Sequence, residues 1–82
     1  MTGLRTETDE AVIDAAADEF DIPPTQLDAE AHLTKDIGLD SVDRLGLAVC
    51  LEQRFGIYVK DKSINQAQTM GDVMELVAIE CA

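Results

Sequence analysis

The stretch Asp36-Ile37-Gly38-Leu39-Asp40-Ser41-Val42-Asp43 passes from a glycine-containing loop into a helix. From Ser41 onward apolar residues recur at helical spacing as far as Phe55-Gly56. Ser is a favoured N-cap, and Gly56 is a suitable C-terminal stop. At about 100° per residue, Leu47, Leu51 and Phe55 fall on one side of this helix. Val42, Leu45 and Val49 fall nearly opposite. One stripe must enter a core. The other either faces another element or lies exposed beside Ser41, where it would form a docking surface.

Working outward, the same periodicity predicts further helices. Helix one is expected from Glu7 to Phe20, capped by Thr6 or Thr8, with Glu7, Asp9 and Glu10 at its positive end. Val12, Ile13, Ala16 and Phe20 make its apolar stripe. Pro23-Pro24 forbids continuation, so the helix ends by Asp21 or Ile22. A long connection runs from Ile22 to Asp40. Ile22, Leu27, Leu33 and Ile37 are expected to pin it to the core, since an untethered loop of this length is unusual in a compact domain. His32, within it, is read as solvated.

A short helical turn is expected from Asp61 to Gln66, with Ile64 pointing inward. The last helix opens at Thr69, with Asp72 three residues later as a capping-box variant. Met70, Val73, Leu76 and Val77 form its inner stripe. No strand alternation persists. The expected fold class is all-α: a small four-helix bundle, three main helices plus one short helix, with a long loop between helices one and two. Residues 1–82 form a single domain, without internal repeats or linkers.

Composition narrows the function. With 82 residues there is no room for a deep cleft as well as a core. Hydrophobic residues make up 46% of the chain, enough for a packed fold; aromatics are scarce, so the core is aliphatic. Seventeen acids against six bases give a net charge of -11. Nucleic-acid binding needs the opposite sign. Such a surface steers basic partners and favours solubility. No apolar run approaches the roughly 20 residues that span a membrane. Met1 to Arg5 lead into acids rather than an apolar signal core, so a cytoplasmic, monomeric protein is expected. A chain opening on Met1 and stopping soon after its last helix is expected to be free-standing, with an excised domain as the alternative reading. Cys50 and Cys81 show no metal spacing and are too few for a disulfide framework. Cys50 reads as helix filling and Cys81 as a free thiol.

Ser41 has no neighbour that would activate it as a nucleophile. It is better placed to be modified. A phosphate ester there would meet the unpaired N–H groups and positive dipole end of a helix. Asp40 offers oxygen to a hard cation such as the Mg²⁺ that accompanies phosphoryl transfer. Gly38 relieves the turn. From these residues alone, Ser41 as no more than an N-cap is the favoured reading.

Asp36-Ile37-Gly38-Leu39-Asp40-Ser41-Val42-Asp43, with Leu47, Leu51-Glu52 and Phe55-Gly56-Ile57 after it, resembles the acyl carrier proteins. The resemblance extends from about Glu7 to Ile79. It implies that Ser41 receives a 4′-phosphopantetheine arm from coenzyme A through a phosphopantetheinyl transferase, and that fatty-acyl or polyketide intermediates ride on the arm as thioesters. It places Gly38, Leu39 and Asp40 beside the attachment point, with Asp40 helping to hold Mg²⁺–coenzyme A only during loading; no resident metal is implied. The partner surface it implies is helix two. There Asp43 and Glu52 match acids that meet basic patches on acyl-loading, ketosynthase or acyltransferase-type enzymes. Val42, Leu45 and Val49 match exposed apolar contacts. A core lined by Phe20, Leu47, Leu51 and Val73 would open to shelter an acyl chain. The chain itself is expected to be non-catalytic.

Departures from the family pattern are Val42 after the serine, Lys60 where proline is frequent, and Arg44, Gly46, Gln53 and Arg54, which dilute the acidity of helix two. They point to a dedicated pathway. The nearest alternative is an aminoacyl or peptidyl carrier of a nonribosomal system, against which Gly38-Leu39 and the -11 charge weigh. A calcium module lacks alternating ligands and a closing Glu. A Ser/His/Asp hydrolase would rest on His32 alone, without a Gly-x-Ser-x-Gly elbow.

Overall fold

A computed structural model describes residues 6–81. Met1 to Arg5, read as leading into acids rather than an apolar signal core, lie outside the described residues. The elements are α1 (Glu7–Phe20), a 3₁₀ turn at Pro24–Gln26, α2 (Ser41–Phe55), α3 (Asp61–Gln66) and α4 (Met70–Cys81). Among the described residues there is no named strand; His32 and Thr69 form an isolated antiparallel bridge. The expected helices are all present. The 3₁₀ turn was not anticipated, although Pro at its start suits the fixed φ of that residue.

The three long helices begin with one device, a reciprocal pair of residues three apart. In α1 the Asp9 N–H donates to Thr6 Oγ1 (3.0 Å) and the Thr6 N–H to Asp9 Oδ2 (3.3 Å). Asp40 and Asp43 exchange the same bonds at α2. Thr69 and Asp72 do so at α4, where the Gln68 N–H also donates to Asp72. Each pair satisfies two backbone donors that a helix start leaves unpartnered. At the other ends the chain turns through the left-handed region, at Asp21 (φ 55°) after α1 and Gly56 (φ 64°) after α2. Asp tolerates that region better than most side chains, and glycine adopts it without cost.

α1 packs on α2 and α4, and α2 on α3. Val12, Ile13, Leu27, Leu33, Leu47, Leu51, Ile64, Met70, Val73 and Val77 are completely buried. The core is aliphatic, as the composition requires. Leu27 and Leu33 pin the long loop fully, while Ile22 and Ile37 are partly buried. Backbone bonds finish the attachment. Leu33 N–H donates to Gln68 O (2.8 Å), Met70 N–H to Ala31 O (3.0 Å) and Gly71 N–H to Ala29 O (2.9 Å). The loop is thereby stitched to the start of α4. A Cβ on Gly71 would lie 2.9 Å from the Ala29 carbonyl oxygen, so the approach requires glycine.

His32 is not a solvated loop residue. It is half-buried, and its Nδ1 accepts the N–H groups of Thr34 (3.2 Å) and Lys35 (3.1 Å). Its own N–H donates to Asp36 Oδ2 (2.7 Å), and its carbonyl accepts from Asp36 and Ile37. The imidazole ties the knuckle that leads towards Ser41.

Candidate functional site at the start of α2

The knuckle delivers the chain to Gly38, whose φ of 83° turns it towards α2. Leu39 is buried, and its N–H donates to Leu33 O (2.8 Å). Leu39 therefore anchors the loop from inside. Asp40 is the N-cap: its Oδ1 accepts the Asp43 N–H at 2.8 Å. This corrects the reading of Ser41 as the cap. Asp competes equally with Ser for that position, and here the partner Asp43 completes the reciprocal pair only for residue 40.

Ser41 is instead the first helical residue and is exposed. Its hydroxyl is not the helix cap. It stands at the end of a helix where the first backbone donors have no intrahelical partner and the dipole favours anions. Access and the positive end of the helix dipole suit a phosphodiester there, while the Asp43 N–H is already taken by the Asp40 cap.

Beside it, Val42 is 72% exposed, Leu45 41% and Val49 50%. The opposite stripe, Leu47 and Leu51, is fully buried, with Phe55 partly so. Of the two arrangements the periodicity allowed, the helix takes the one that leaves an apolar strip beside the serine. The acids of α2 are already engaged. Asp43 is half-buried and holds the Asp40 N–H at 3.1 Å. Glu52 is half-buried and accepts the Val59 N–H at 2.8 Å, fixing the segment between α2 and α3.

Arg44 is the residue that sequence reasoning misplaced. It was expected to dilute an exposed acidic face. It is buried, 9% exposed. Its Nη1 donates to Ile64 O (2.9 Å), Ala67 O (2.5 Å) and, at longer range, Asn65 O (3.4 Å). Its Nη2 donates to Thr34 Oγ1 (3.2 Å). One guanidinium thus joins α2, the carboxyl end of α3 and the loop. The negative end of the α3 dipole and its last carbonyls make a natural seat for a cation. A signal was present: Arg44, Leu47 and Leu51 are spaced three and seven apart, which puts the arginine on the core stripe.

Elsewhere, Arg54 pairs with Asp18 at 2.6 Å on the surface. The bond to Asp18 holds the Arg54 guanidinium above its ordinary value. At α4 the backbone N–H groups of Gln68 and then Thr69 hold the Asp72 carboxyl below the usual aspartate value. Among the described residues no three His, Cys, Asp or Glu side chains assemble as a metal site. No described helix is long and apolar enough to cross a membrane.

Comparison with known proteins meets this geometry. A family model for the phosphopantetheine attachment site matches residues 10–77. An acyl carrier protein of Saccharopolyspora erythraea is 36% identical over 72 residues, covering 88% of this chain and 76% of that protein. An acyl carrier protein of Helicobacter pylori is 32% identical over 61 residues, covering 74% of this chain and 78% of that protein. A helical bundle presenting an exposed serine at a helix start, matched along most of its length by these proteins, belongs to the acyl carrier protein family, whose members carry a covalently attached 4′-phosphopantetheine.

Proposed function

We propose that Ser41 is the attachment point and that the chain carries fatty-acyl or polyketide intermediates for a dedicated biosynthetic pathway, as a single cytoplasmic domain without catalysis of its own. The observation that carries this is the exposed Ser41 hydroxyl on the first residue of α2, with the capping role taken by Asp40. In loading, the Ser41 oxygen attacks the β-phosphorus of coenzyme A. The pyrophosphate P–O bond breaks, adenosine 3′,5′-bisphosphate leaves, and the hydroxyl proton passes to a base on the phosphopantetheinyl transferase. When bound, the arm supplies a terminal thiol for thioester formation.

This chain's residues prepare that step. Gly38 and Leu39 hold the loop so that the serine stands clear of the surface. Asp40 spends Oδ1 on the helix cap, and its second oxygen is the candidate ligand for Mg²⁺ during loading. The helix start stabilises the phosphodiester. Val42, Leu45 and Val49 supply apolar contact to acyl-loading, ketosynthase or acyltransferase-type partners, with Asp43 and Glu52 along the same helix. Because both acids are held by backbone N–H groups, the apolar strip dominates this surface, which supports a dedicated partner set.

The test is intact-mass measurement before and after incubation with a phosphopantetheinyl transferase and coenzyme A. The chain is expected to gain the mass of one phosphopantetheine, and the Ser41→Ala variant none. A gain that survives in Ser41→Ala overturns the assignment. Loading by an amino-acid-adenylating enzyme in preference to acyl-loading enzymes would favour the peptidyl-carrier reading.

A further inference from the structure

Cargo tethered at Ser41 has two destinations, solvent or the interior of the bundle. The way inward is set by the rotation of α2. Its core face comprises Arg44, Leu47, Ala48 and Leu51. Gly46 approaches Glu19, and Cys50 reaches the Ala15 carbonyl, so the α1 side of α2 lies on one edge of that face. Arg44 bonds α3, so the α3 side lies on the other. Ser41 is about 60° from Arg44 around the helix and one turn from it, on the α3 side. A chain folding inward from Ser41 meets the α2–α3 seam, and there it meets the guanidinium.

The guanidinium is fastened to three segments at once: Thr34 of the loop, α3 through the Ile64 carbonyl, and Ala67 just beyond it. No buried side-chain nitrogen or oxygen among the described residues lacks a hydrogen-bond partner. An alkyl chain entering the seam would strip a buried charge and at least two carbonyl oxygens of their partners. Burial of a short acyl chain does not offset that loss. Surface clefts of about 480, 550 and 460 Å³ lie between α3 and α4, at the α1–loop junction and along the loop; none of the three is lined by Ser41 or Arg44.

We propose that Arg44 is a specificity-determining latch that closes the α2–α3 seam and holds the cargo outside the bundle, so that this carrier serves short or polar acyl groups exposed to its partners. The proposal rests on the Ser41 reading.

Its test loads the full chain from butyryl- and octanoyl-coenzyme A with a phosphopantetheinyl transferase, confirms each product by mass, and compares melting temperatures and backbone amide shifts. In the wild type the two acyl forms are expected to melt together and to leave the Leu47, Leu51 and Val73 amides in place. In Arg44→Met the octanoyl form is expected to melt several degrees above its butyryl form, with those amides shifted. Thr34→Val, which loosens only the loop end of the latch, is expected to respond in between and serves where Arg44→Met folds poorly. A wild type stabilised by octanoyl, with moving core amides, overturns the proposal. So does an Arg44→Met that folds and still ignores chain length. Absence of any mass gain overturns the Ser41 reading itself, a result distinct from both.

Discussion

Replacing Arg44 by Met keeps most of the apolar stem and removes the guanidinium. Three bonds are short enough to count in full: those to Ile64 O, Ala67 O and Thr34 Oγ1, at 2.9, 2.5 and 3.2 Å. Hydrogen bonds to charged groups contribute about 1.5–3 kcal/mol each, and orphaned buried acceptors cost about 1–3 kcal/mol. These are two views of the same loss and are not summed. Water can reach the carboxyl end of α3 once the side chain is shortened, and desolvation of the buried cation is relieved, so we expect a net loss of about 3 kcal/mol. For a domain whose whole stability is about 0.05–0.15 kcal/mol per residue, this is a quarter or more of the total. At about 4–8 °C per kcal/mol, the melting temperature should fall by more than 10 °C. Urea unfolding followed by circular dichroism measures the loss, with an unchanged slope confirming that the denatured state is not the cause. Arg44→Lys should recover only part, because an ammonium cannot span both the α3 carbonyls and Thr34 as the planar fork does. A loss below about 1 kcal/mol for Arg44→Met would refute the reasoning, since that is the range of an ordinary exposed substitution.

Gly71→Ala gains about 1 kcal/mol of helix propensity but puts a Cβ 2.9 Å from the Ala29 carbonyl and strains the 2.9 Å bond from its own N–H. Net destabilisation of about 1–2 kcal/mol in urea melts is expected, and stabilisation would contradict the close approach. At Gly46 the sign reverses. The only near atom for a new Cβ is the carboxylate end of the exposed Glu19 side chain at 3.2 Å, so Gly46→Ala should stabilise by about 0.5–1 kcal/mol in the same assay. Asp72 carries a pH signature. Its folded value lies below the unfolded one, so its contribution is complete above the ordinary aspartate value of about 3.9 and is lost as pH falls through the lower folded value. The stability difference between wild type and Asp72→Asn should be small at neutral pH, because the group is exposed, and should vanish in acid; a difference that grows with acidification would reverse the assigned sign.

Much of the fold was legible because its determinants are local. Thr6 with Asp9 and Thr69 with Asp72 act over three residues, and the proline pair ends α1 within a turn. The placement of the candidate site was legible for the same reason: Gly38, Asp40 and Ser41 are consecutive or nearly so, and their positions follow from a turn and a helix start. Even here one detail moved, since Asp40 rather than Ser41 caps α2, because the reciprocal partner at Asp43 stands three residues from one and two from the other. His32 escaped sequence reasoning because its backbone bonds depend on how the loop coils around it.

The sequence by itself determined the helix limits, the aliphatic core, the negative surface and the position of the serine, all of which follow from short-range spacing and composition. Only the tertiary structure decided which stripe of α2 meets solvent, since periodicity identifies faces but not what lies against them. It alone decided the burial of Arg44, whose partners at Ile64 and Ala67 lie 20 and 23 residues away. A charge enters a core only where acceptors arrive from elsewhere in the chain to replace its water. That arrival is a property of packing: helical spacing puts Arg44 on the core stripe, but nothing local supplies the acceptors it needs there.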